Sequence, residues 1–219
     1  MKTFKKLASV VALLAGLGVA QQASAAIQMT LTDGTNTVVI DDNMAGDFNP
    51  AIGVITFLGP VGCFGINVST GLGDAQAIGF TGIDLNSINT AQCAAPETLT
   101  ISFSETGFVS GSAFQGEIGG TLTGLDIFAE MFAGSNVFYD ETNSIGTYTQ
   151  TSNGAFSNMF SGSVAGLPNP YSMTLVVALT GMEGTASFDF EGQVPEPATI
   201  GLLGLSLAGL GVAMRRRRK

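Results

Sequence analysis

Between residues 26 and 194 the chain has no lysine, no arginine and no histidine, and the whole of its 219 residues contains no histidine and no tryptophan. Each absence removes a class of chemistry. Nucleic-acid binding depends on Lys and Arg neutralising phosphates, so an acidic stretch of this length excludes it. Imidazole bases, Schiff-base lysines and arginine clamps are excluded for the same reason. With two cysteines and no histidine, the ligands that remain suit hard cations rather than zinc or copper. The aromatic platforms on which sugars stack are scarce: there is no Trp, and the three tyrosines are Tyr139, Tyr148 and Tyr171. The 15 phenylalanines read as core. All eight bases lie at the ends of the chain, at Lys2, Lys5, Lys6, Arg215, Arg216, Arg217, Arg218 and Lys219. Sixteen of the 17 acids lie in residues 26–194, which therefore carry a formal charge of −16 against −9 for the whole chain.

The ends read as addresses. Residues 1–25 join a basic start at Lys2, Lys5 and Lys6 to an apolar run from Leu7 to Ala20, and close on Ala23-Ser24-Ala25. A basic region, a short apolar region and a small-x-small site in this order make a secretory signal peptide, formed as a helix and cleaved between Ala25 and Ala26 by signal peptidase. Export follows for the residues beyond. Near the other end, Ala198 to Met214 has no charge, and Arg215 to Lys219 follows as a block of cations. A helix of that length spans about 25 Å, and snorkelling arginine stems extend it toward the roughly 30 Å of a hydrocarbon core. The cations hold the cytoplasmic side as a stop, leaving the acidic domain on the far side of the inner membrane. Gly201, Gly204, Ala208 and Gly211 fall on one face of that helix. They read equally as a close-packing face or as a weakly apolar span that is easy to release.

Before the span stands Val194-Pro195-Glu196-Pro197. Each proline disfavours helix in the residue before it, so this strip is extended. The Pro-Glu-Pro motif, the short hydrophobic segment and the Arg-rich cluster together closely resemble the PEP-CTERM sorting signal, over about 26 of the 219 residues. The resemblance implies recognition of Val194, Pro195, Glu196 and Pro197 by an exosortase-type membrane protease, which makes them residues of a substrate rather than of an active site. It also implies removal of the anchor and delivery to the outer surface or extracellular matrix of an exopolysaccharide-making, biofilm-forming Gram-negative bacterium. The chain thus divides into a signal peptide (1–25), an exported domain (26–193) and a sorting signal (194–219) with its transmembrane helix at 198–214 and basic tail at 215–219.

In the middle, 24 glycines in 169 residues give about 14 per cent, twice the usual share. The hydrophobic period there is two. Ile27, Met29 and Leu31 alternate with polar residues, as do Leu99, Ile101 and Phe103; Met173, Leu175, Val177 and Leu179 form a third alternating run. Asp33-Gly34 before Val38-Val39-Ile40 predicts a hairpin turn. Further short strands are predicted at 53–58, 65–69, 121–127, 136–139 and 186–191. Residues 106–125 read as a loop or weak edge hairpin, and Phe156, Met159 and Phe160 as a loop or short helix. The expected fold class is all-β, an antiparallel, jelly-roll-like β-sandwich.

Cys63 and Cys93, exported to an oxidising compartment, are expected to form a disulfide. The acids suit hard cations such as Ca²⁺. Asp41-Asp42-Asn43-Met44-Ala45-Gly46-Asp47 departs from an EF-hand loop at Ala45 and at Ile52. Gly119 to Asp126 matches a Gly-Gly calcium repeat loosely and does not recur. No metal site and no cofactor are therefore expected. Two carboxylates alone could hydrolyse a glycoside, but Asp140 and Glu141 are adjacent and would point apart on a strand. The expectation is a protein without catalytic residues, structural or interactive within an acidic exopolysaccharide. A carbohydrate-binding module is the alternative, and a carboxylate glycosidase a further one.

Overall fold

The computed structural model describes residues 25–73, 81–109 and 111–195. Ala23, Glu196, Pro197, the expected signal and transmembrane helices and the tail Arg215 to Lys219 lie outside the described residues. Every regular element within them is a β-strand: β1 Ile27–Thr32, β2 Thr37–Asp41, β3 Val54–Val61, β4 Phe64–Leu72, β5 Thr81–Phe108, β6 Ala113–Thr123, β7 Asp126–Ser135, β8 Asn143–Gln150, β9 Gly154–Ser163 and β10 Tyr171–Val194. Among the described residues no helix is long and apolar enough to cross a membrane.

All pairings are antiparallel, and the two longest strands run through both layers of the fold. The first layer has the order β2-β1-β5-β10-β7-β8, using residues 98–108 of β5 and 171–180 of β10. The second has the order β3-β4-β5-β10-β6-β9, using the other half of each long strand. Between the halves the register jumps: Glu97 faces Gly181 and Gln92 faces Glu183, so Cys93 to Pro96 oppose Met182 alone. An excess of residues on one strand bends the ribbon, and proline is tolerated where the ladder is broken. Gly184 makes the bend possible, since a Cβ there would sit 2.1 Å from the Thr123 carbonyl oxygen in the turn below.

Alternation then builds the core. Leu99, Ile101 and Phe103 with Met173, Leu175, Val177 and Leu179 point inward from the first layer, and Ile83, Leu85, Ile118, Leu122, Phe188 and Phe190 from the second; all are buried. The layers meet at the sides too, with β8 against β9 and β3 against β1 and β2. Within the second layer's inner face, Ser69 Oγ lies 2.5 Å from Ser87 Oγ, which donates to Asn89 Oδ1 at 3.0 Å. That string satisfies both serine hydroxyls and Asn89 Oδ1, while Asn89 Nδ2 is buried without a hydrogen-bond partner.

The predicted hairpin is present: Asp33 Oδ1 accepts from the backbone N–H of Thr35 and Asn36, and Gly34 has φ +86°. Four expectations are corrected. Residues 113–123 form β6, an internal strand between β10 and β9, because its glycines let neighbouring rings lie close over the backbone. Phe156, Met159 and Phe160 lie on β9, where Phe156 is buried and Met159 exposed, as strand alternation requires. The run 121–127 is broken by a turn at Gly124 and Leu125. Residues 136–139 are a turn after β7, not a strand.

Candidate functional site

The turn at 136–139 decides which face stays open. It lies over the outer surface of the first layer, where Tyr139 N donates to Ser104 Oγ (3.2 Å), Thr30 Oγ1 to Tyr139 Oη (2.8 Å), and Gly107 N to Asn136 Oδ1 (2.7 Å). Ser104 and Thr174, outward by alternation, are buried beneath it. Burial pushes the Tyr139 phenol well above its usual pKa. Asp140 fastens this loop, accepting from Ser135 N (2.6 Å), Thr142 N (2.9 Å) and both hydroxyls of those residues. These donors hold its carboxyl down at about 2.

On the second layer no such cover lies over the outer surface among the described residues, and the register gathers acids on it. Asp84 on β5 faces Glu191 on β10, which faces Glu117 on β6. In the next row Asn86 faces Asp189, which faces Gly119. Beyond them Ile88 faces Ser187, which faces Thr121. Burial, a hydrogen bond to Asp189 and the charges of Asp189 and Glu191 together push the Asp84 carboxyl up to about 8. At neutral pH Asp84 is therefore protonated and donates to the Asp189 carboxylate. Gln193 Nε2 donates to Glu191 Oε2 at 2.9 Å. Because Gly119 lacks a side chain, a shallow depression of about 340 Å³ opens beside it, lined by Asn86, Ile88, Gly120, Ser187 and Asp189 among others.

The two carboxyls of a glycosidase stand roughly 5 Å or more apart to flank the bond they cleave. The hydrogen-bonded Asp84–Asp189 pair lacks that gap. Asp140 is committed to its loop, while Glu141 lies beside it in an unpaired segment rather than on a strand.

The other sequence candidates are dispersed. Cys63 and Cys93 are disulfide-bonded, with Cα atoms 5.1 Å apart, and tie the β3–β4 turn to the bend of β5. Glu97 lies near them, but sulfurs bonded to each other do not ligate a metal. In the 41–53 loop, Asp47 accepts from the N–H of Asn43, Asn49 and Thr56, Asp42 from Gly53, and Asp41 from Gln28 Nε2. These carboxylates staple the loop to itself and to its neighbours. Residues 119–123 of the Gly-Gly segment are strand rather than loop. Tyr171 is buried between Phe108 and Phe114, and Tyr148 stacks on Phe156. None of the three tyrosines is a flat exposed platform. At the ends, Ala25 and Ala26 are exposed, Val194 is the buried last residue of β10, and Pro195 is exposed. The Asp84, Asp189, Glu191 and Glu117 group was not singled out by sequence reading. Its signal was acids on the polar phase of alternating strands, which becomes a cluster only once register is known.

The fold and site define an all-β antiparallel sandwich with an acidic face. Its residues 193–218 match the PEP-CTERM protein-sorting motif, which implies export, a membrane-anchored sorting signal and processing by an exosortase-type system. No curated protein matches the chain. Among solved structures it is similar to TmCBM61 in complex with β-1,4-galactotriose, at 8% identity and TM-score 0.40, covering 68% of this chain and 92% of that one. It is also similar to a protein from a study of carbohydrate-binding modules of the β-sandwich superfamily, at 11% identity, TM-score 0.34, and 78% and 72% coverage. A third is the enzymatically active domain of bacteriophage CBA120 tailspike protein 4, at 9% identity and TM-score 0.37, covering 70% of this chain and 21% of that one.

Proposed function

We propose that this chain is an exported surface or extracellular-matrix protein whose acidic sandwich has a structural or interaction role, without catalysis, in an exopolysaccharide matrix. The observation that carries the reading is the sorting motif at 193–218, joined directly to the last strand of the sandwich. In this reading the anchor holds the chain at the inner membrane until processing, and the outer surface or matrix is the destination. With sixteen acids and no base in residues 26–194, divalent ions bridge the protein to acidic polysaccharide by sharing carboxylates. No resident metal or cofactor is part of it.

A second reading, a carbohydrate-binding module at the cell surface, is favoured by the depression beside Gly119. Its mixed lining of Asn86, Asp189 and Ser187 with Ile88 offers amide, carboxylate and hydroxyl groups beside apolar surface, as sugar recognition needs. A pull-down of the released protein on native exopolysaccharide, with and without chelator, separates the two. Binding abolished by chelator supports ion bridging. Binding that survives chelation and is competed by one defined sugar supports the module. No binding in either condition overturns both.

A further inference from the structure

The fold and the sorting motif overlap. β10 is still paired at its end, with Gln193 opposite Gly82 and Val194 opposite Thr81. Val194 is 4% exposed. It packs so closely on Gly111 that a Cβ there would lie 2.1 Å from Val194 Cγ1 and 3.5 Å from the Tyr171 hydroxyl. Tyr171 in turn stacks on Phe108 at 5.5 Å and meets Phe114 edge-on at 5.9 Å. The end of β10 is thus buried against Gly111, near the Tyr171 hydroxyl, and the next residue, Pro195, is exposed.

The start of the exported chain reaches the same end of the sandwich. The Ala26 carbonyl accepts from Thr106 N at 3.0 Å, and Ile27 pairs with Glu105. There too the processing site stops where the fold begins, for Ala25 and Ala26 are exposed and Ile27 is 4% exposed.

A protease acts on exposed backbone or on a locally opened state. Cutting within 192–194 would require stripping β10 from β5 and β6 and drawing Val194 out of its buried place beside Gly111. We propose, on the reading that this motif is a processed sorting signal, that the bond hydrolysed is Pro195–Glu196 or one further toward the C-terminus. The released sandwich then keeps all of β10 and Pro195. In the step, the peptide C–N bond breaks, water gives its hydroxyl to the upstream acyl carbon, and a proton goes to the leaving amine. The sandwich departs with a new carboxylate and the membrane segment keeps a new amino group.

The test is the intact mass and C-terminal peptide of the protein released by cells that carry the full chain and an exosortase-type protease. Residues 26–194 hold no Lys or Arg, so trypsin leaves them whole, and cleavage at Glu or Asp supplies the peptide. A C-terminus at Pro195 or beyond is expected; one at Val194 or earlier overturns the inference and leaves the sorting reading intact. A chain retained through Lys219 in the presence of the protease overturns the sorting reading itself. As a second measurement, a short Gly-Ser spacer inserted between Val194 and Pro195 leaves the melting temperature unchanged and is carried on the released chain, whose mass rises by that of the spacer. A released spacer variant of unchanged mass overturns the proposal.

Discussion

The ring of Phe103, in the first layer, lies against the backbone of Gly71 in the second, so near that a Cβ on Gly71 would sit 2.3 Å from Phe103 Cε2. Phe103 is fully buried, and the two layers close on each other through this contact. Gly71→Ala is therefore expected to lower stability by about 1–3 kcal/mol through overpacking. Phe103→Leu in the same chain should recover part of that loss. Urea denaturation of the single and double variants measures both; equal additive losses would show that the two residues do not meet.

Asp84 makes stability fall as pH rises. Its carboxyl is pushed up to about 8 in the fold, above the roughly 4 of an unfolded aspartate. Its contribution is present in full below pH 4 and is lost between about 4 and 8, because the folded state binds the extra proton. Melting temperature should decline across that window, and Asp84→Asn, which keeps a donor toward Asp189 without a charge, should flatten the decline. An unaltered pH profile in the variant would place the titration elsewhere.

Asp140 has the opposite sign. With its carboxyl held down at about 2 by Ser135 and Thr142, its contribution is present above pH 4 and is lost as pH falls from about 4 toward 2. Asp140→Ala removes the acceptor for the backbone N–H of both Ser135 and Thr142. It should cost about 1–2 kcal/mol at pH 7 and release the loop over Ser104, seen as faster amide exchange at Tyr139.

Reducing the Cys63–Cys93 bridge opens a loop with a sequence separation of 30. In the chain-entropy view this costs about 3–4 kcal/mol. Cys63→Ser should lower the melting temperature in oxidising buffer to that of the reduced parent protein. Identical melting of the oxidised parent and the variant would remove the bridge from the stabilising interactions.

Much of the strand content was legible because alternation is local. Ile27 to Leu31, Leu99 to Phe103 and Met173 to Leu179 each present one apolar face, and each is a strand. Reading failed where local composition and long-range packing disagree. Gly116, Gly119 and Gly120 weaken a strand taken alone, yet β6 is held between β10 and β9 by backbone pairing. Val137 and Phe138 look like strand formers, but they follow the end of β7 in a turn, where Tyr139 takes φ +56°.

The sequence by itself determined the segregation of charge, the sorting motif at 193–218, the exclusion of basic chemistry and the all-β character, since each is a property of composition or of neighbours in the chain. Only the tertiary structure decided that β5 and β10 run through both layers, that the sorting motif begins inside a paired strand, and that Asp84, Asp189, Glu191 and Glu117 share one face. Those depend on register between strands far apart in the chain, and a one-residue slip of β10 would turn Asp189 and Glu191 into the core.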